Sequence, residues 1–109
     1  MELAEKVRAA KRVYIIGNGG SYANAVHICN DLLACGIKAY TLDSATLTAI
    51  ANDFGYEHIF SKWLATVGEK GDLLIALSGS GTSRNILNAL AMADEIGMES
   101  VLITDYLDT

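Results

Sequence analysis

The chain has 109 residues, of which 51% are hydrophobic, so it can bury the core of a single domain covering residues 1–109. Eight Lys and Arg against thirteen Asp and Glu give a net charge of −5, which excludes the basic patch that a sequence-independent nucleic-acid binder needs. The apolar runs are shorter than the roughly 18 residues of a membrane span, and the N-terminus lacks a signal-peptide core, so we expect a cytoplasmic protein with no membrane partner.

Apolar runs typical of buried strands alternate with segments of helical spacing. The predicted helices cover residues 2–10, 20–35, 45–52, 57–67 and 83–96, and the predicted strands cover 13–16, 37–42, 73–77 and 100–103. Strands that are apolar on both faces and alternate with helices predict an α/β fold with three layers, α/β/α. We expect a parallel, flavodoxin-like sheet of about four to five strands in the order 2-1-3-4.

The two cysteines, Cys29 and Cys35, lie six residues apart in one predicted helix, so they cannot both face the same way. Neither has the spacing of a CxxC motif or of a Cys/His zinc site. We therefore expect two free thiols, as is usual in a reducing cytosol.

The predicted strand order makes neighbours of the first strand and the strand at Leu73–Leu77. In open α/β sheets, ligands bind outside the carboxyl ends of the strands at such a switch point. Two Gly/Ser-rich loops, Gly17–Ser21 and Ser78–Ser83, follow the carboxyl ends of these two strands. The sequence therefore predicts that both loops belong to one site.

The first loop reads Gly17-Asn18-Gly19-Gly20-Ser21. Its glycines allow close approach of a ligand, and the N-terminus of the next helix favours an anion, although a single loop of this kind would also suit an ordinary strand-to-helix turn. Tyr22 breaks the dinucleotide fingerprint, and no Gly-Lys-Ser/Thr of a P-loop occurs. Nucleotide binding is therefore disfavoured.

The second loop concentrates hydroxyl groups in front of a helix. Its hydroxyl and glycine residues are Ser78, Gly79, Ser80, Gly81, Thr82 and Ser83. We predict that Ser83 caps the helix and that the loop holds a phosphate, which prefers several neutral donors and a helix N-terminus.

Three further polar residues are candidates for the site. Asp43 follows the second predicted strand and caps the next helix, accepts hydrogen bonds from sugar hydroxyls or holds a neighbouring loop in place. His27 and Asp31 are spaced i, i+4, so they share one helix face as a surface pair, a catalytic pair or two metal ligands.

Together these motifs resemble the sugar isomerase (SIS) domain, and within it the phosphoheptose isomerases. The matching segments are Gly17–Ser21, His27, Leu47–Tyr56 and Ser78–Ser83, and the resemblance runs from about residue 10 to residue 104. It implies a parallel sheet flanked by helices, homo-oligomers that are usually tetramers, and a phosphorylated sugar as ligand. The implied substrate-binding residues are Asn18, Gly19, Gly20, Ser21, Asp43, Ser78, Gly79, Ser80, Thr82 and Ser83.

The resemblance also implies a catalytic apparatus. At positions 27 and 31 the family has His-x-x-x-Glu, which binds zinc with a Gln and a His of a later helix, and the glutamate acts as acid and base. This chain has His27 but a shorter Asp31, and the later helix would lie beyond Thr109. His27 and Asp31 are thus the implied catalytic residues and the implied ligands of a zinc cofactor.

Three functions follow as hypotheses. The first is an aldose–ketose isomerase acting on sedoheptulose 7-phosphate. The second is a non-catalytic SIS module that senses a phosphosugar or binds a partner protein. The third, a flavin-binding domain, is disfavoured. It would need aromatic residues beside the two loops, and only Tyr22 is present there.

Overall fold

A computed structural model of the chain describes residues 2–104. The helices are α1 (Leu3–Ala9), α2 (Gly20–Ala34), α3 (Ser44–Phe54), α4 (Ile59–Val67) and α5 (Arg84–Ile96), with a 3₁₀ turn at Tyr56–His58. The strands are β1 (Val13–Gly17), β2 (Ala39–Tyr40), β3 (Leu73–Leu77) and β4 (Glu99–Ile103). None of the helices within residues 2–104 is long and apolar enough to cross a membrane.

The four strands form one parallel sheet in the order β2-β1-β3-β4, as predicted. β1 and β3 lie at its centre, and all five residues of each strand are buried. Helices α1 and α2 contribute to the core on one face of the sheet, and α3, α4 and α5 to the core on the other. The three-layer α/β/α fold expected from the sequence is therefore confirmed.

The larger core cluster lies beneath α4 and α5. Phe60 is fully buried there, and the ring of Trp63 meets Tyr14 edge to face with centroids 5.4 Å apart. Burying an aromatic side chain of this size stabilises a fold by roughly 2–3 kcal/mol. Phe60 is thus part of this core, and the partly buried Trp63 packs against it.

The second strand is much shorter than the predicted 37–42. At its start, the amide of Ile37 donates to the carbonyl of Leu32 and so belongs to the end of α2. At its end, the Thr41 hydroxyl donates to the carbonyl of Ile15 at 2.7 Å, in place of a further backbone bond between β1 and β2. Only Ala39 and Tyr40 therefore pair with β1.

The fourth strand begins at Glu99 rather than Ser100 and is not buried on both faces as the pattern predicted. Leu102 and Ile103 remain 38% and 40% exposed, because β4 pairs only with β3 within the described residues. Apolar side chains at a sheet edge give the same periodic signal whether or not a further layer covers them.

Candidate functional site

The register of the sheet brings the two Gly/Ser-rich loops together. Gly17, the last residue of β1, is paired with Leu77, the last residue of β3. Asn18 follows Gly17 and Ser78 follows Leu77, so both loops leave the sheet side by side at the carboxyl ends of the two central strands. The convergence expected from the sequence is therefore present in the fold.

The first loop is a tight turn that leads directly into α2. The amide of Ser21 donates to the carbonyl of Asn18 at 2.9 Å, and the amide of Tyr22 donates to that of Gly19 at 3.0 Å. Gly19 has φ 56° and ψ −121°, a conformation that side chains rarely adopt. A glycine at this position lets the chain turn within three residues.

The second loop is held by its own hydroxyl groups. The buried Ser78 Oγ accepts a hydrogen bond from the amide of Gly81 at 3.1 Å. Ser80 Oγ accepts from the amide and the hydroxyl of Thr82, at 3.1 and 3.0 Å. Ser83 occupies the N-cap position of α5, as predicted, but its side chain makes no capping hydrogen bond.

Two grooves flank the loops. The α2 groove, of about 280 Å³, lies between the start of α2 and the second loop. It is lined by Ser21, Asn24, Ile28, Leu77, Ser78, Gly79 and Ile103. Three predicted binding residues therefore line one groove: Ser21 at the start of α2, and Ser78 and Gly79 in the second loop.

The α5 groove, of about 490 Å³, lies beside the start of α5. It is lined by Asn18, Tyr56, Glu57, Ser83, Arg84 and Asn85. Arg84 is the single basic residue among those lining the two grooves, and it is the first residue of α5. Its charge and the helix N-terminus both favour an anion in this groove, whereas the carboxylate of Glu57, which also lines it, opposes one.

A hydrogen-bond network joins the first loop to α5. The side-chain amides of Asn18 and Asn85 exchange two hydrogen bonds of 2.9 Å, and the hydroxyl of Tyr56 donates to Asn18 Oδ1 at 2.8 Å. Asn85 is only 2% exposed. The network fixes the side chain of Asn18 in the α5 groove.

Asp43 takes the first of its two predicted roles. Its carboxylate accepts hydrogen bonds from the amide and hydroxyl of Thr46, at 3.0 and 2.7 Å, and so caps α3. These bonds hold the pKa of Asp43 below its usual value. Asp43 does not line either groove.

His27 and Asp31 meet on the exposed face of α2. His27 Nε2 lies 3.5 Å from Asp31 Oδ2, and the two side chains are 79% and 68% exposed. A zinc site in a protein needs three or four ligands. Within residues 2–104 no group of three or more His, Cys, Asp and Glu residues is placed to hold a metal, so the described residues do not by themselves fit zinc.

The SIS domain model matches residues 2–105, nearly the whole chain. The chain belongs to the SIS domain family. A phosphoheptose isomerase from Akkermansia muciniphila is 40% identical to this SIS domain over 108 residues, covering 92% of the chain and 57% of that protein. The chain thus spans little more than half the length of the curated relatives it matches.

Two solved structures share the fold of this SIS domain. A phosphoheptose isomerase from Neisseria gonorrhoeae superposes with a TM-score of 0.85 at 35% identity, covering 91% of this chain and 55% of that one. The sugar isomerase domain of an RpiR transcription factor from Sphaerobacter thermophilus superposes with a TM-score of 0.69 at 30% identity, covering 94% and 50%.

Sequence reasoning about this SIS domain missed the roles of Asn85 and Tyr56. A signal for Asn85 existed, because it is four residues before Ala89 and eight before Ala93, which are both buried. A polar residue at that spacing falls on the buried face of α5 and needs a hydrogen-bond partner. Tyr56 belongs to the segment that resembles the family, but the sequence carries no signal for its contact with Asn18.

Proposed function

We propose that this SIS domain binds a phosphorylated sugar in the grooves between its two Gly/Ser-rich loops. The observation that supports this most is the pairing of Gly17 with Leu77, because both loops then begin at the carboxyl ends of neighbouring strands. Similarity to phosphoheptose isomerases supports a phosphosugar as the ligand.

The phosphate is proposed to lie against the second loop. Ser78, Ser80, Thr82 and Ser83 supply the hydroxyl groups, Gly79 allows close approach, and the thirteen-residue helix α5 begins immediately afterwards. Hydroxyl donors combined with a helix N-terminus are a common phosphate site. Arg84 adds a positive charge at the same helix end.

The sugar is proposed to contact the first loop and α2. Asn18, Gly19, Gly20 and Ser21 lie at the start of this helix, and Asn24 continues the lining of the α2 groove. His27 and Asp31 follow three and seven residues after Asn24, so they extend the same helical stripe.

Isomerisation between an aldose and a ketose moves a proton between adjacent carbons and needs a base beside the sugar. His27 and Asp31 are the proposed catalytic residues, and sedoheptulose 7-phosphate is the proposed substrate, as the similarity to phosphoheptose isomerases suggests. Asp43 would act indirectly, by fixing the start of α3.

A phosphosugar-sensing module without catalysis is the second candidate function. The similarity to the sugar isomerase domain of a transcription factor favours it. The pair of His27 and Asp31 also lacks a third metal-binding partner within the described residues. Under this hypothesis the same loops bind the phosphosugar, and the signal passes to a partner protein.

We further propose that the protein is cytoplasmic and forms homo-oligomers. The exposed apolar residues Leu102 and Ile103 on β4 support association, because within the described residues this strand pairs on one side only, and an open apolar edge is prone to pair with another chain. Analytical ultracentrifugation of the purified protein would determine its oligomeric state.

The two candidate functions differ in turnover. The protein is incubated with sedoheptulose 7-phosphate, with and without added zinc, while the aldose product is followed and thermal unfolding is measured in parallel. Aldose formation supports the isomerase. Thermal stabilisation without product in either condition rules out the isomerase for this chain and supports the binding module.

The phosphate site is tested by replacing Ser80 and Ser83 with alanine. We expect this double variant to lose the thermal stabilisation that sedoheptulose 7-phosphate gives the unmodified protein. Ser100→Ala is the matched control, because Ser100 is exposed on β4 and lines neither groove. If the double variant is stabilised as much as the control, the second loop does not hold the phosphate.

A further inference from the structure

The side-chain oxygen of Asn18 has no remaining capacity to bind a sugar. It accepts one hydrogen bond from Asn85 Nδ2 at 2.9 Å and a second from the Tyr56 hydroxyl at 2.8 Å. An amide oxygen has two lone pairs, so these two donors saturate it. The nitrogen differs, because Asn18 Nδ2 uses only one of its two N–H groups, in the bond to Asn85 Oδ1.

Asn85 is well placed to hold this arrangement. It is the second residue of α5, only 2% exposed, and followed by the fully buried Ile86. A buried amide that loses its hydrogen bonds is destabilising, so Asn85 keeps the side chain of Asn18 in this reciprocal pair, and the bond from Tyr56 accompanies the orientation in which the Asn18 oxygen faces both donors.

Tyr56 is held at the other side of Asn18 by a separate contact. It begins the 3₁₀ turn between α3 and α4, and the carbonyl of the next residue, Glu57, accepts a hydrogen bond from Asn88 Nδ2 at 3.0 Å. Asn88 is one turn after Asn85 on α5. One helix therefore positions both partners of the Asn18 oxygen.

We infer that Asn85 is a positioning residue which, together with Tyr56, fixes the amide of Asn18 so that it offers the ligand an N–H group and not its oxygen. The inference rests on the proposed function, because it states which group of the Asn18 amide faces the bound phosphosugar. Asn18 lines the α5 groove together with Ser83 and Arg84.

The fixed orientation of the Asn18 amide determines which atoms of a ligand it can bind. A fixed N–H donates to an oxygen atom of the sugar, including a carbonyl oxygen or an oxygen that gains negative charge during enediol formation. An amide that rotates freely would also present its oxygen, which would accept from hydroxyls instead. Preorganised donors bind developing charge better than mobile ones, because they need no reorganisation.

The first experiment needs no ligand. In the ¹H–¹⁵N spectrum of the isotope-labelled protein, the side-chain NH₂ group of Asn18 should show one proton protected from exchange with water. Asn85→Ala should remove that protection, and Tyr56→Phe should shift the signal without unfolding the chain, since Tyr56 is 55% exposed. Ser100→Ala, at an exposed residue of β4 that lines neither groove, is the control and should leave the protection in place.

The second experiment compares the binding of sedoheptulose 7-phosphate with that of inorganic phosphate by calorimetry. Asn85→Ala and Tyr56→Phe should each weaken binding of the phosphosugar about three- to tenfold, the effect of one misdirected hydrogen bond. Binding of inorganic phosphate should stay within about twofold of the unmodified protein, because the second loop is unchanged. Tyr56→Phe alone decides the matter if Asn85→Ala does not fold.

The outcomes separate this inference from the proposed function. If the unmodified protein binds neither ligand, the proposed function fails, and protection of the Asn18 amide still decides whether Asn85 orients it. Free exchange of both Asn18 protons in the unmodified protein would overturn the inference. It is overturned equally if both variants bind the phosphosugar as tightly as the control Ser100→Ala does.

Discussion

A methyl group attached to Gly17 would lie 2.6 Å from the carbonyl oxygen of Ser21 and 2.7 Å from its carbonyl carbon. Both atoms belong to the backbone of the first turn of α2, which cannot yield in the way that a flexible side chain does. The last residue of β1 and the start of α2 are therefore in direct contact. This contact sets the direction in which α2 leaves the sheet, and with it the position of the first loop.

We predict opposite effects for alanine at two glycines of this loop. Gly17→Ala should lower the free energy of unfolding by about 1–3 kcal/mol, because the methyl group overpacks a rigid contact. Gly20→Ala should raise it by about 0.4–1 kcal/mol, because a methyl group there meets nothing within 4 Å and the unfolded chain loses freedom. Urea unfolding of both variants measures the two changes. Equal destabilisation would show that the contact with Ser21 is not the cause.

Much of the fold was predictable from local patterns. The bounds of β3 were predicted correctly, because Leu73–Leu77 is a continuous apolar run with glycines at positions 71 and 79. The order of the strands followed from the handedness of parallel connections. The length of β2 was not predictable, because it depends on the Thr41 side chain reaching Ile15, a contact between residues 26 positions apart.

The candidate site shows the same division. The two loops could be found because glycine and hydroxyl residues cluster next to predicted strands. The network around Asn18 could not be found, because it joins positions 18, 56 and 85, which only the folded chain brings together. Ser83 shows the reverse case. It has the residue type and position of a helix cap, but its side chain does not form the capping bond.

Tyr14 should make stability sensitive to alkaline pH. Its side chain is 3% exposed, and its hydroxyl donates to the carbonyl of Val67 at 3.0 Å. Burial, with a smaller effect from the nearby Asp72, raises the pKa of Tyr14 from 10 to about 12. Between these values the unfolded chain loses the proton before the folded chain does. Stability should therefore fall as the pH rises from about 10 to 12, by roughly 2–3 kcal/mol for this group.

Urea unfolding at several pH values between 9 and 12 tests this prediction. Tyr14→Phe should be about 1 kcal/mol less stable than the unmodified protein at pH 8, since the bond to Val67 is lost, and should show a shallower alkaline decline. Tyr40→Phe, at a tyrosine that is 42% exposed, should retain the full decline. Identical slopes in the two variants would contradict the assignment to Tyr14.

Asp43 should stabilise α3 at neutral pH and less so in acid. Asp43→Ala removes the acceptor for the Thr46 amide and should lower the melting temperature by roughly 4–8 °C at pH 7. The hydrogen bonds from Thr46 lower the pKa of Asp43 in the folded chain. The contribution of Asp43 to stability is therefore fully present above the ordinary pKa of an aspartate and disappears as the pH falls through the lowered pKa. The difference between the two proteins should therefore shrink once the pH falls below 3.8, the ordinary pKa of an aspartate.

Asp43→Asn separates the hydrogen bond from the charge at this cap. Asparagine caps helices about as well as aspartate, so the melting temperature at pH 7 should stay close to that of the unmodified protein. Its amide does not titrate, so the contribution of this cap should persist in acid. A large loss with Asp43→Asn at pH 7 would show that the charge, and not the hydrogen bond, stabilises α3.

The two cysteines should differ in reactivity, although both lie on or next to α2. Cys29 is 6% exposed, and burial raises the pKa of its thiol, whereas Cys35 is exposed at the end of the helix. Alkylation needs an accessible thiolate, so Cys35 should react first. Iodoacetamide in native buffer at pH 8 should add one group per chain, at Cys35, and in denaturant it should add two.

Mass spectrometry of the intact chain and of its peptides counts and locates these groups. Cys35→Ser should remain unmodified in native buffer and gain one group only when unfolded, because Cys29 packs with Ala25 and Ile15 in the core beneath α2. The rate at which this variant is alkylated in native buffer then reports how often α2 separates from the sheet. Rapid alkylation of Cys29 at low denaturant would mean that α2, which carries Ser21 and His27, is not firmly packed on β1.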